Sequence, residues 1–383
     1  MNKVWMIVGA LIVSLFTFTP AMAASYNGPP RDQVIASNFI WPTAIVNVKG
    51  TDYVWDDEAY IKKIVGNKAV TVANIKQIFP YLEAQGLDPD NFNSIRASHM
   101  VADSKGNIYV GASLLDGNLS TGYGEIYQFI MKFDGHNLSV IQFKDTGVYS
   151  NGEGSPYIFG NSMGVDPRIV QYGGTLLFNY LPANIVQPTM AITGTTMYVL
   201  EDGVPGIFSI DLSQPSYPVT NITTVSFGQN IPSNDLNGVE CFIVPRNDHL
   251  MISDGNSYLF DVDLTNGTIQ QQLTLSYSNE GIPYDFFNHG KFYNGTLFFL
   301  NDMGIVEMDQ YNINYASIVF DPNTYHWTIP HGISEIADWT FVNDHAIDLI
   351  DFDNHRVIRL RFYTVYLTPS QSVDVGLNGP SGQ

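Results

Sequence analysis

The sequence predicts an all-β chain folded as a β-propeller of four-stranded antiparallel blades, and three observations predict it. Apolar and polar residues alternate with period two along most of the chain, with turn residues every 8 to 12 positions. A strand–turn–strand unit recurs at intervals of about 50 residues, which is the length of one blade. Helical periodicity is confined to residues 74–87, "NIKQIFPYLEAQGL", where Pro80 limits it to a short helix.

The elements follow in chain order. Residues 1–23 read as a secretory signal. Lys3 precedes an apolar run too short to span a membrane comfortably, Pro20 ends that run, and Ala21-Met22-Ala23 offers small residues for cleavage after Ala23. An uncleaved membrane anchor is the alternative. Residues 24–368 form one propeller domain, and residues 369–383, rich in small polar residues, Pro and Gly, form a flexible tail.

Within the domain, "KGTDYVWDD" begins at Lys49, "KGNIYVGAS" at Lys105, "TGTTMYVLED" at Thr193, "RNDHLMISD" at Arg246, "YNGTLFFLND" at Tyr293 and "VNDHAIDLID" at Val342. Each is a tight polar turn followed by alternating apolar residues, in most cases with an acidic stop. Asn-Gly and Asn-Asp tolerate the positive backbone angle such turns need. The turn positions Asp248, Gly295 and Asp344 are 47 and 49 residues apart, and Gly50 and Gly106 are 56 apart. A second hairpin follows each unit, the last being "RVIRLRFYTVYL", and this count predicts six blades, with seven as the alternative. The alternative arises from residues 164–186, whose "VQYGGTLLFNY" we read as inner strands of the third blade with a lengthened connection. "DQVIASNFIWP" is available to pair with the C-terminal strands and close the ring, hiding edges that invite aggregation. In "LIDFDNHRVIRLRF", the cluster Asp351, Asp353, Asn354 and His355 reads as the turn between two strands.

Composition narrows the partners. The formal charge is −20 with only 17 basic residues, a surface that a nucleic-acid backbone repels. Cys241 is the single cysteine, so internal disulfides are excluded and packing must hold the fold. No second apolar run approaches membrane-spanning length, so after signal cleavage the chain is expected without a membrane span, in an extracytoplasmic setting: secreted, periplasmic or at the cell surface. Aromatic residues make up 13% of the chain, including 22 Tyr, which suits recognition of a small molecule, a glycan or a protein at the axial face.

Some residues carry a resemblance. "DFDNHRVIRL" and "VADSKGNIYVGAS" are similar to NHL repeats, and residues 236–269 are similar to blades of the gluconolactonase and senescence-marker-protein superfamily. "PHGIS", residues 330–334, resembles blade starts in the related paraoxonases. The resemblance implies a six-bladed propeller and, as a second functional reading beside binding, a calcium-dependent lactonase or esterase. It places calcium on the central axis, held by oxygen donors at the starts of inner strands. The comparable positions here are His99, Asn161, Asn237, Asp285 and His331. Of these, Asn161, Asn237 and Asp285 are the candidate metal ligands, and His99 and His331 the candidate catalytic bases. Asn237 before Gly238 matches the family's Asn-Gly pattern, whereas the first blade offers Thr43 where the family has Glu.

Two further motifs dissolve on inspection. "GNSMG" matches a nucleophile elbow around Ser162, but "VDPR" follows where a helix is required. "DVDLTNG" places Asn266 and Gln272 where a calcium loop needs Gly and Glu, and reads as a hairpin.

Overall fold

The structure is a computed structural model. It describes residues 33–57, 59–87, 92–118, 123–150, 189–200, 207–222, 242–246, 248–253, 258–265, 269–274, 288–293, 296–301, 304–308, 315–320, 333, 336–343, 346–361 and 372–374. Among them lie six antiparallel sheets.

Strand β1 (Gln33–Ser37) comes first in the chain but belongs to the last sheet. The first sheet is β2 (Pro42–Val48), β3 (Thr51–Asp56), β4 (Tyr60–Val65) and β5 (Lys68–Asn74). A 3-10 turn at Ile75–Ile78, capped by the Asn74 side chain on Lys76 N, leads into helix α1 (Phe79–Ala84). Pro80 sits in the first turn of α1, where its missing N–H has no partner to lose, so it starts the helix and does not break it.

The second sheet is β6 (Phe92–Ala102), β7 (Ile108–Asn118), β8 (Tyr123–Phe133) and β9 (Leu138–Ser150). The third is β10 (Thr189–Thr193), β11 (Thr196–Leu200), β12 (Ile207–Asp211) and β13 (Val219–Asn221). The fourth is β14 (Phe242–Arg246), β15 (His249–Ser253), β16 (Tyr258–Asp263) and β17 (Ile269–Thr274). The fifth is β18 (Asn288–Tyr293), β19 (Thr296–Asn301), β20 (Gly304–Met308) and β21 (Tyr315–Phe320). The sixth is β22 (Ile336–Asn343), β23 (Ala346–Asp351) and β24 (Arg356–Arg361), completed by β1.

The first strands of these sheets neighbour one another in a cycle. β2 lies beside β6, β6 beside β10, β10 beside β14, β14 beside β18, β18 beside β22, and β22 beside β2. This is the circular arrangement of a propeller, with those strands around the axis.

Strand alternation explains how adjacent blades hold together. Successive side chains leave opposite faces of a strand. On β7, Ile108, Val110 and Ala112 pack toward the first sheet, while Tyr109 packs with Met190, Met197 and Val199 of the third. On β3, Trp55 joins the cluster shared with the second sheet, and Val54 joins the one shared with the sixth. On β24, Ile358 and Leu360 face the fifth sheet's Leu300 and Ile305, and Val357 faces the first. These middle strands are thus buried on both faces, and the core they share lies between blades.

Ring closure is made by β1. It pairs antiparallel with β24, Gln33 opposite Arg359 and Ser37 opposite Arg356. Ile35, Ala36 and Phe39 are buried in the seam with Ile350 and Val357. The expected last hairpin is corrected in one respect: the outer neighbour of β24 is β1, and residues 363–367 lie outside the described residues.

The third blade is corrected too. Its inner strands are β10 and β11, joined at Gly194-Thr195, so residues 164–186 are not required for them. That segment, and the signal at 1–23, lie outside the described residues. The tail is not loose throughout: β25 (Ser372–Asp374) pairs with β21 and adds a fifth strand to the fifth sheet. An outer edge strand carries unpaired N–H and C=O groups that a short extended segment satisfies.

Asp residues at the ends of strands are turn acceptors. Asp103 accepts from Gly106 N, Asn107 N, Asn107 Nδ2 and Tyr109 Oη, and Gly106 takes the positive φ of +98° that this turn demands. Asp351 accepts from Asn354 Nδ2 at 3.0 Å and Arg356 Nε at 2.7 Å, with His355 at φ +52°. The Asp-Asn-His cluster near the C-terminus is therefore a turn, as the sequence suggested.

Candidate functional site

Four inner strands break their regular pairing near the axis, each beside a polar residue. The register shifts between Pro42 and Ala44 on β2, around Thr43. It shifts between Ala97 and His99 on β6, between Asn288 and Lys291 on β18, and between Ile336 and Trp339 on β22, around Asp338. A bulge bends the strand and re-aims side chains. His289 also holds φ at +47°, a left-handed conformation that costs a non-glycine residue energy and marks a site where surrounding structure imposes it.

The result is a polar cluster drawn from across the ring. His99 on β6 and His289 on β18 come from the second and fifth sheets, which face each other across six. Their rings stack with centroids 5.8 Å apart and planes 28° apart. Asp338 of the sixth sheet lies beside them, with His289 Nδ1 3.1 Å and Lys291 Nζ 3.3 Å from its Oδ1. Its Oδ1 also accepts from Trp339 N at 2.8 Å, and its Oδ2 from Ile45 N of the first sheet at 2.9 Å. Thr43 donates to Ala97 O at 2.7 Å, tying the first sheet to the second, and Trp339 Nε1 donates to His289 O at 3.0 Å, tying the sixth to the fifth.

Electrostatics follow from this packing. Burial would raise the Asp338 carboxyl, but Lys291 and His289 hold it well below the ordinary carboxylate range. His99 is pushed down to about 3 by burial first, then by His289 and Lys291, with Asp338 opposing. It is therefore neutral near pH 7, with one N–H donor and one acceptor nitrogen. Among the described residues neither nitrogen has a hydrogen-bond partner. An imidazole of such low basicity suits hydrogen bonding better than proton abstraction.

Of the five residues singled out from the sequence, His99 is placed at the axis. Asn161, Asn237, Asp285 and His331 lie outside the described residues. Sequence reasoning missed His289, Lys291 and Asp338. A signal was present: Thr43 and His99 lie seven residues before the turn glycines Gly50 and Gly106, and His289 and Asp338 lie six before Gly295 and Asp344.

The described donors do not fit calcium. Calcium takes six to eight oxygens. Here two imidazoles and an ammonium surround one carboxylate whose oxygens already accept backbone N–H groups. Among the described residues no group of three or more His, Cys, Asp or Glu is placed to hold a metal.

No protein-family model matches the chain, and no curated protein matches it. Solved structures do. A structural-genomics protein of unknown function from Bacteroides thetaiotaomicron is 11% identical, with a TM-score of 0.50 over 87% of this chain and 76% of that one. A putative oxidoreductase (glucose dehydrogenase) from Thermus thermophilus is 9% identical, with a TM-score of 0.45 over 86% and 99%. The WD40 domain of Neurospora crassa Pan2 is 9% identical, with a TM-score of 0.44 over 88% and 97%. At such identities the likeness is of fold alone. The sheets and their cyclic order define the class, a β-propeller with a polar axial cluster. Among the described residues no helix is long and apolar enough to cross a membrane.

Proposed function

We propose that this chain is an exported six-bladed propeller that binds a small molecule, a glycan or a protein through its axial face. One observation carries the reading. His99 is buried at the axis on a bulged strand with both ring nitrogens unpartnered among the described residues. A buried polar group without a partner costs about 1–3 kcal/mol. A fold that keeps it, beside a strained His289, reserves hydrogen-bonding capacity where inner strands converge.

The test has two arms. Mass spectrometry of the protein recovered from its host should find a mature N-terminus at Ala24; a cytoplasmic protein retaining residue 1 would overturn export. Glycan, metabolite and peptide panels should yield saturable binding that His99→Ala weakens about tenfold, the equivalent of ~1.4 kcal/mol. Binding that ignores axial substitutions, or no saturable ligand at all, would overturn the axial reading.

A calcium-dependent lactonase or esterase remains the second reading. Its support is the blade-level resemblance alone, since the weakly basic His99 is better suited to hydrogen bonding than to acting as a base. It requires oxygen donors from Asn161, Asn237 and Asp285, and His331 as a companion base. Turnover of lactones or aryl esters that chelator abolishes would favour it over simple binding.

A further inference from the structure

The seam between the first and last blades contains two carboxylates and one cation. Asp52 on β3 and Asp348 on β23 are both buried, at 3% and 0% exposure. Arg359 on β24 donates to Asp348 through Nε at 2.8 Å and Nη2 at 2.6 Å, and its Nη2 reaches Asp52 Oδ2 at 3.3 Å. Asn47 on β2 donates to Asp52 Oδ1 at 2.6 Å. From β22, the Thr340 hydroxyl accepts from Asn47 N at 3.3 Å. The lysines of β4 are engaged elsewhere: Lys62 pairs with Asp56, and Lys63 lies over the Tyr53 ring. Arg359 Nη2 thus reaches Oδ2 of both carboxylates, so Asp52 and Asp348 converge on one guanidinium. With both carboxylates ionised the cluster holds two anions and one cation, and a single proton on the pair removes the excess charge.

We propose that the propeller is latched shut by a proton shared between Asp52 and Asp348, so that the seam joining the two ends of the ring loosens when that proton is lost. With the proton present, the three groups sum to zero charge. Without it, two buried carboxylates face one partly exposed guanidinium, and an uncompensated buried charge is costly. The placement gives this local balance its reach. Asp52 belongs to the first complete sheet, Asp348 and Arg359 to the last, and the latch spans the one boundary of the ring where the two ends of the propeller meet.

The direction of the titration agrees. Burial, then Asp348, raise the Asp52 carboxyl to about 8, against the lowering effect of Asn47 and Arg359. A folded-state value above the unfolded 3.8 contributes stability that is full below 3.8 and is lost as pH rises through about 8.

The experiment is a melting series on the full chain between about pH 6.5 and about pH 8.5, with amide exchange read by segment. The expected result is a Tm lower by roughly 4 °C at the upper end, with faster exchange confined to β3, β23 and β24. In Asp52→Asn the amide donates to Asp348 as the shared proton does, so the Tm should be level across the range. An infrared pH titration of the wild type gives a second readout that does not depend on the variant folding. It should show a protonated carboxyl persisting above pH 6.5. A wild-type Tm that does not fall, a slope retained in Asp52→Asn, or the absence of that carboxyl band would each overturn the latch.

Discussion

His99 and His289, 190 residues apart in the chain, meet ring against ring at 5.8 Å from opposite sides of the propeller. Their contact crosses the axis where an open channel would otherwise run. Three blades are tied at this point, because Asp338 holds His289, Lys291 and the backbone of the first sheet together. The centre of the ring is thus a polar junction, whereas the hydrophobic clusters lie between blades.

The buried neutral His99 makes the fold sensitive to acid. Its folded-state value, lowered from 6.5 to about 3, contributes stability that is present above 6.5 and is lost as pH falls toward 3. Replacing it with Phe, which has no nitrogens to protonate, should flatten Tm between about pH 6.5 and pH 4. Thermal melts across that range provide the check, and an unchanged acid slope would assign the loss to other groups.

Asp338→Ala removes the counter-ion of Lys291, the partner of His289 and the acceptor for Ile45 N. Breaking a buried pair from one side costs about 3–5 kcal/mol. Urea unfolding should show a loss of that size with little change in the denaturant slope. A loss below ~1 kcal/mol would mean that water replaces the carboxylate freely.

Deleting residues 24–37 leaves β24 with an unpaired edge and exposes Ile350 and Val357. Edge strands of this kind recruit other chains. The truncated protein should self-associate in size-exclusion chromatography with light scattering, while the full chain serves as the reference. A truncated monomer of unchanged Tm would show that β1 is not needed for closure.

Trp339→Phe retains the ring and removes the N–H that satisfies His289 O. An orphaned buried acceptor costs about 1–3 kcal/mol. The same variant frees the backbone at His289, so amide exchange in β18 should quicken together with the loss. Exchange unchanged in β18 would show that the φ of +47° is held by other contacts.

Much of the architecture was legible along the chain because its causes are local. Alternation of period two, Asn-Gly and Asn-Asp turns, and Asp residues that close onto their own turns act within about ten residues. They placed the inner hairpins at Lys49, Lys105, Thr193, Arg246, Tyr293 and Val342, and the described strands follow them. The third blade's inner hairpin was assigned to residues 164–186 because a Gly-Gly turn between apolar runs has the same local pattern as Gly194-Thr195, and only the pairing of β10 with β11 decides between them.

The site was less legible. His99 stood out only through the family resemblance, as a position at the start of an inner strand; His289 and Asp338 share its spacing before a turn, yet a polar residue near a strand end is ordinary in itself. The bulges that turn these residues toward the axis depend on pairing with a neighbouring strand, which periodicity does not encode.

By itself, then, the sequence determined the repeating blade, the turn chemistry and the strand at Gln33–Ser37 that is free to close the ring. The tertiary structure alone decided that His99 meets His289, that Asp52 meets Asp348, and that Lys291 is neutralised by Asp338. The physical reason is the circle. Strand period and turn conformation are set by neighbours in the chain, but which side chains oppose one another across an axis or a closing seam is set by how all the blades pack around it.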